Sequence, residues 1–290
     1  MSKFFINLNG ELLDESTAKI SVLDRGFLYG DSVYEATRTF NRTPFRLDKH
    51  IERLFDSASK IYFSPKTSRE SIKEEAIKTL KAAPFKDASI RIVLSRGTAI
   101  DLGLDPSLAV TENLIIYVKE LKPNPSWWYN TGVKLGFYQK ETSSKGSLPK
   151  TGNYIENMLA NRQAIAQGFY DSIMINNDGH ITECTTSNIW IVKKGIVYTP
   201  SLDEGVLPGL TRSTILNMPR QITIIETKLT PKDVFDADEC FITSTTREVV
   251  PVTEVEHKAI GNGTPGPITL KILHDYRARI NEELKSISSI

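Results

Sequence analysis

Pro123 and Pro125 stand in the stretch Leu121 to Ser126, and neither a helix nor a β-ladder can run through them. On each side of this break, short apolar runs alternate with helix-period segments. The chain has 290 residues, about twice the length of a common domain. The break therefore predicts a small N-terminal α/β domain over 1–120, a linker at 121–130 and a larger domain over 131–290. Strands and helices alternate in both halves, which leaves α+β and α/β architectures open.

In the first half, Phe4 to Leu13 reads as a hairpin turning at Asn9-Gly10, and Ser32 to Phe40 as a strand. Asp48 is placed to cap a helix through Lys60, with Ile51, Leu54, Phe55 and Ala58 on one face. A second helix runs from Ser68 to Ala83, followed by strands at Ser89 to Ser95 and Asn113 to Lys119. Past the break come a strand at Val133 to Tyr138, a polar loop at Glu141 to Pro149 and a helix from Tyr154 to Gln167 that stops at Gly168. Strands follow at Asp171 to Asn176, Asn188 to Lys193 and Ile196 to Thr199, with a turn at Asn177 to Gly179. A short helix opens after Leu207-Pro208-Gly209, and strands lie at Ile222 to Glu226 and Glu239 to Thr243. The last helix, Pro267 to Leu284, carries Leu273, Tyr276, Ile280 and Leu284 on one stripe.

Composition excludes several classes of function. Hydrophobic residues are 40% and charged residues 24%, so the chain can bury a core. Its net charge of +1 gives no reason to expect nucleic acid or an anionic membrane as partner. Cys184 and Cys240 are too few for a disulfide scaffold and suit a reducing cytoplasm, and the opening Met1-Ser2-Lys3 does not lead into a signal peptide. Gly261-Asn262-Gly263-Thr264-Pro265-Gly266 has the letters of a dinucleotide loop, but no apolar strand runs into it. The four histidines are scattered, so no metal site is expected, and no Gly-x-Ser-x-Gly elbow is present.

Three segments of the second half share a chemistry. Leu207-Pro208-Gly209-Leu210-Thr211-Arg212 is a turn running into a helix, where free N–H groups and a hydroxyl suit an anion. Thr243-Ser244-Thr245-Thr246 places hydroxyls at the mouth of an apolar strand, and Thr182-Glu183-Cys184-Thr185-Thr186-Ser187-Asn188 sets an acid among hydroxyls. Each alone could be a helix cap or a strand end. Together they suggest a phosphorylated cofactor whose ring nitrogen needs a counter-charge.

The chain also resembles the class IV, fold-type IV pyridoxal-phosphate (PLP) aminotransferases, a group that includes branched-chain and D-amino acid aminotransferases and aminodeoxychorismate lyase. The resemblance is carried by Asp24-Arg25-Gly26-Phe27-Leu28-Tyr29-Gly30-Asp31-Ser32-Val33-Tyr34-Glu35, Arg46 to Leu54, Lys150-Thr151-Gly152-Asn153-Tyr154, Asp178 to Glu183, Asn188, Leu207 to Arg212, Thr245 to Val252 and the Gly261 to Gly266 run. It implies an α+β, two-domain fold like that of D-amino acid aminotransferase, with a β-barrel-like C-terminal domain and helices.

By resemblance, Lys150 is the catalytic lysine that binds PLP covalently and shuttles the proton. Glu183 is the acid paired with the pyridine nitrogen, which keeps the ring an electron sink. Arg53, the N–H groups of Leu210 and Thr211, the Thr211 hydroxyl and Thr245 match the phosphate cup, and Tyr154 matches the tyrosine near the phenolic oxygen. Tyr29, Tyr34 and Arg38 fall on a strand lining the substrate side. Arg91 matches the branched-chain group's arginine for the acidic co-substrate, and Thr246 a carboxylate-holding position. An active site between the domains and at a homodimer interface is implied, with the Tyr29 segment or the Gly103 loop reaching in from the partner.

The implied reaction is a ping-pong transamination between an amino acid and a 2-oxo acid such as 2-oxoglutarate. Gly103-Leu104-Asp105-Pro106 and Gly152-Asn153-Tyr154 lean toward branched-chain L-amino acids. The D-amino acid group's Arg-x-His trap is absent, because Asp101 and Gly103 stand in its place after Arg96-Gly97-Thr98. The alternatives are a D-amino acid transaminase using Arg25, Arg91 or Arg247, an (R)-amine transaminase, aminodeoxychorismate lyase, and a decayed member with a binding or structural role. Against decay, both Lys150 and Glu183 are present.

Overall fold

A computed structural model of the chain describes residues 4–141, 145–218 and 222–288. It divides into two compact units, Met1–Pro123 with Pro149–Asn153, and Asn124–Leu148 with Tyr154–Ile290. The polar loop expected at Glu141 to Pro149 lies partly outside the described residues, and the Met1-Ser2-Lys3 start wholly so.

In the first unit, β1 (Phe5–Leu8) and β2 (Glu11–Leu13) form the hairpin expected from Asn9-Gly10, both of which take positive φ. The helix α1 (Arg25–Tyr29) starts under the Asp24 side chain, which accepts from the N–H groups of Gly26 and Phe27. It stops at Gly30, where φ is 69° and an added Cβ would lie 2.1 Å from Asn153 Oδ1. Only glycine suits that position. Next come β3 (Ser32–Phe40), β4 (Thr43–Pro44), α2 (Leu47–Lys60), α3 (Arg69–Ala82), β5 (Ala88–Ala99) and β6 (Ala109–Glu120). Ser68 caps α3 as its sequence suggests, accepting from Ser71 N–H.

Asp48 does not cap α2. The chain enters that helix through Arg46 in the left-handed region at φ 51°, and Asp48 sits in the first turn, paired with Lys73. There a carboxylate still complements the helix dipole. The six strands pair in the order β2-β1-β6-β5-β3-β4. One face of this sheet carries Val33, Ile90, Ile92, Ile116 and Val118 into a core with Leu54 and Ile72 from the helices.

The segment Pro149–Asn153 completes the unit by lying along β3. Val33 bridges Thr151 antiparallel, Tyr34 N–H donates to Lys150 C=O at 3.0 Å, and Gly152 N–H donates to Ser32 C=O at 2.9 Å. Because β5 holds the other edge of β3, this segment takes the edge that β4 leaves open nearer the strand's start.

The second unit contains α4 (Trp127–Asn130), β7 (Val133–Gln139), α5 (Ile155–Ala166), β8 (Asp171–Ile175), β9 (Ile181–Cys184), β10 (Asn188–Lys193), β11 (Ile196–Pro200), α6 (Leu210–Asn217), β12 (Ile224–Thr227), α7 (Pro231–Phe235), β13 (Glu239–Ser244), β14 (Glu248–Val255), β15 (Lys258–Ala259) and α8 (Pro267–Ser288). The sheet runs β12-β11-β10-β13-β14-β7-β8-β9, with β15 beside β14. It curls until β9, at the end of this path, lies against β10 and β11, which makes a half-barrel. Val133, Leu135, Ile173, Ile191, Ile242 and Val250 fill its core.

Several elements here depart from the sequence reading. The strand β14 carries Pro251, which cannot donate to a ladder, yet it pairs with β13 opposite Phe241. The strand β9 is only four residues, one of them Glu183. The helix α7 is a single turn, set by a capping box between Thr230 and Asp233. The helix α4 occupies the Trp127-Trp128-Tyr129 run just past the prolines. No helix among the described residues is long and apolar enough to cross a membrane.

Candidate active site

In the first unit, alternation along β3 sends Tyr34 and Glu35 to opposite faces. On one face, Lys150 Nζ donates to Tyr34 Oη at 3.2 Å and lies 4.4 Å from the centre of its ring. The Arg91 guanidinium stacks on the same ring at 4.1 Å. The phenol therefore joins the lysine to an exposed arginine. Arg38, two residues along from Ala36 on this face, lies over Phe40 at 4.0 Å.

On the other face Glu35 is fully buried and meets α2. Its Oε1 accepts from Arg53 Nε at 2.7 Å, and its Oε2 from Arg53 Nη2 at 2.8 Å and His50 Nδ1 at 2.7 Å. A carboxylate only accepts, so the His50 hydrogen sits on Nδ1. Burial alone would raise the Glu35 carboxyl, but the Arg53 charge and the bonds from Arg53 and His50 bring it down to about 2. Burial holds His50 below its ordinary range, with Glu35 pulling the other way. One turn beyond Arg53, Ser57 Oγ accepts from Lys150 N–H at 3.0 Å. The helix that carries Arg53 thus also fixes the Lys150 backbone.

Tyr29 is not on a strand. It ends α1, because Asp24 and Gly30 close a helical turn there, and the Arg25 guanidinium lies 5.1 Å from its ring. Arg25 is buried, and its nitrogens bond Asp31 and the carbonyls of Gly103, Leu104 and Asp105. It staples the Gly103 loop. Ala99 N–H bonds Leu23 C=O beside this loop, and the region leaves Phe27 at 70%, Leu102 at 66% and Leu104 at 81% exposure.

The second unit gathers its candidates at one end of the half-barrel. β10 begins at Asn188, which pairs with Thr243 near the end of β13, and Thr245, Thr246 and Arg247 make the turn into β14. Glu183 on β9 accepts on Oε2 from Asn188 Nδ2 at 3.0 Å and from Leu207 N–H at 3.2 Å. The helix α6 begins with Gly209 at its N-cap and no side-chain cap. Leu210 and Thr211 open it, and Thr211 Oγ1 lies 3.4 Å from Tyr276 Oη. Arg212 anchors α6 from behind, with Nη2 on Pro200 C=O at 3.0 Å and on the Glu226 carboxylate. Tyr154 stands at the N-cap of α5.

Arg247 is fully engaged, with Nε on Ser244 Oγ, Nη1 on Tyr170 Oη and Nη2 on Thr186. The Gly261 to Gly266 run leads to α8, whose first N–H groups are taken by the Glu239 carboxylate at Ile268 and Thr269. That helix start already holds its anion, so the dinucleotide letters carry no site.

Sequence reasoning assigned no role to Glu35, His50, Ser57 or Asn188. A signal existed for the first three: one acid inside an apolar strand, and His50, Arg53 and Ser57 at helical spacing on one face.

A family model described as amino-transferase class IV matches residues 32–255. A putative branched-chain-amino-acid aminotransferase of Methanocaldococcus jannaschii is 33% identical over 274 residues, covering 94% of this chain and 95% of that protein. A D-alanine aminotransferase of Bacillus licheniformis is 30% identical over 271 residues, covering 91% and 93%. The crystal structure of a T.th. branched-chain amino acid aminotransferase with pyridoxamine 5'-phosphate superimposes with a TM-score of 0.88 at 25% identity, covering 96% of this chain and 94% of that one.

Proposed function

The chain belongs to the class IV aminotransferases, which use PLP, and from that premise we propose that it moves amino groups between branched-chain L-amino acids and a 2-oxo acid such as 2-oxoglutarate. The observation that carries the substrate side is the stack of Arg91 on Tyr34, whose hydroxyl accepts from Lys150 Nζ. It sets an exposed cation beside the lysine on one sheet face, where a carboxylate could be drawn. Of the three arginines named for a substrate carboxylate, Arg25 is spent on the Gly103 loop and Arg247 on Ser244, Tyr170 and Thr186. Arg91 is the one left exposed. The relatives' names support amino acids of either hand, and the branched-chain reading leans on the Gly103 loop sequence and on the Methanocaldococcus jannaschii relative.

The residues present fit PLP by their donor chemistry. Gly209 leaves the start of α6 without a side-chain cap, so the N–H groups of Leu210 and Thr211 and the Thr211 hydroxyl suit phosphate. Arg53 and Thr245 would add further donors. Glu183, braced on Oε2 by two N–H donors, is an acceptor suited to a ring N–H. When bound, PLP supplies an electron sink for the electrons left at the amino acid's Cα. Lys150 Nζ would attach the cofactor and carry the proton to and from that carbon. Glu183 would keep the ring nitrogen's proton in place, Tyr154 would stand near the phenolic oxygen, and Ser57 and Tyr34 orient Lys150. Tyr29, Arg38 and Thr246 complete the proposed substrate wall.

The remaining expectations belong to the same proposal: an N-terminal domain over 1–120, a linker at 121–130, a cofactor domain over 131–290, of which Pro149–Asn153 lies along β3 in the first unit, and a homodimer. The dimer is supported by exposed Phe27 on α1 and by exposed Leu102 and Leu104 on the Gly103 loop that Arg25 holds in shape. A cytoplasmic setting is supported by two thiols that are free and buried. The experiment is to mix the yellow holoenzyme with L-leucine and, separately, with D-alanine, and follow its visible band. Bleaching by L-leucine alone supports the branched-chain reading, and bleaching by D-alanine alone contradicts it.

A further inference from the structure

We propose that Asn188 is a positioning residue that ties the Glu183 carboxylate to the turn opening α6, so that one amide sets the acid and the anion-binding helix start relative to each other. The inference rests on the PLP reading and adds to it a side chain outside the donor set. Asn188 Nδ2 lies 3.0 Å from Glu183 Oε2 and 3.0 Å from Leu207 C=O, while Leu207 N–H reaches the same Oε2 at 3.2 Å. Side chain, backbone and carboxylate close a ring. Both partners of the amide are pure acceptors, so its nitrogen, not its oxygen, faces them.

The geometry needs two hydrogens on one neutral atom at this reach. Serine and threonine offer one, aspartate none, and glutamine stands a methylene too far out. The backbone under Asn188 is fixed as well, since it opens β10 in register with Thr243 and is 5% exposed. The other end of the amide presses on Gly209. A Cβ there would lie 2.0 Å from Asn188 Oδ1, although Gly209 has an ordinary φ of −62°. Glycine is needed at that position for close approach, not for conformation. Asn188 therefore holds the turn through Leu207 and packs against it at Gly209.

The test uses apoprotein titrated with PLP, together with the 15N resonance of ring-labelled PLP in the loaded protein. Asn188→Asp keeps the shape and removes both donors, and Asn188→Ala removes the side chain. Both should weaken PLP binding about tenfold or more, aspartate at least as much as alanine, and both should move the ring-nitrogen resonance. Gly209→Ala displaces the amide from the phosphate side and should move that same resonance. It is the decisive variant should neither Asn188 variant fold. A space-filling role predicts instead that Asn188→Asp binds PLP as the wild type does, with the resonance unmoved, and that result would overturn the inference. An unmoved resonance in Gly209→Ala overturns it too. Failure of the wild-type protein to bind PLP would overturn the cofactor reading, a different outcome.

Discussion

Glu35 and Arg53 meet side-on, carboxylate against guanidinium, at 2.7 Å and 2.8 Å in the interior of the first unit. Arg53 thus reaches any phosphate with its Nε–Nη2 edge already committed, and its direction is set by an acid on β3 rather than by its own helix. Removing one partner of a buried pair leaves the other's charge uncompensated. Glu35→Ala should cost about 3–5 kcal/mol in urea unfolding of the apoprotein and weaken PLP binding as well. A variant as stable as the wild type would mean that Arg53 finds equal partners without Glu35.

The same cluster predicts an acid limit. The Glu35 carboxyl lies at about 2 against an ordinary 4.5, so its contribution is full above 4.5 and is lost as pH falls toward 2. A lowering of that size corresponds to on the order of 3 kcal/mol. His50 is lowered from 6.5, so the unfolded chain also takes up its proton first, and stability starts to fall below that pH. Both groups act in one direction. Glu35→Gln should flatten the fall between pH 4.5 and 2 in urea melts at stepped pH, and an unchanged slope there would remove the Glu35 carboxylate as its cause.

Tyr34→Phe keeps the ring under Arg91 and removes the hydroxyl that accepts from Lys150. We expect kcat to fall by a factor of roughly 3–10, the worth of about one hydrogen bond. Arg91→Ala should instead raise KM for 2-oxoglutarate more than for L-leucine, because only the acidic acceptor has a second carboxylate. Equal effects on both substrates would take Arg91 out of the acceptor site.

Much of the fold was legible because local chemistry and final structure agree. Asn9-Gly10 makes the hairpin, Ser68 caps α3, and Gly209 leads into α6. Where they disagree, the cause is tertiary. Pro251 lies in a paired strand although it brings no N–H, and Asp48 loses the cap because Arg46 turns left-handed ahead of it. At the candidate site, single residues such as Lys150 could be named only from family motifs. Nothing local separates that lysine from the others. What makes it distinct is Tyr34, Ser57 and the β3 edge, all of them distant in sequence.

Arg25→Ala releases the carbonyls of Gly103, Leu104 and Asp105. The loop should loosen, and a dimer that uses Phe27, Leu102 and Leu104 should weaken in sedimentation equilibrium. A wild-type protein that stays monomeric at micromolar concentration would contradict the proposed dimer.

Lys150 as the residue that carries the cofactor is checked by reducing the loaded protein with borohydride and mapping its peptides by mass. A phosphopyridoxyl mass should be added to the peptide containing Lys150, and none in Lys150→Ala. A label on a different lysine, or a yellow wild-type protein that takes up none, would contradict it.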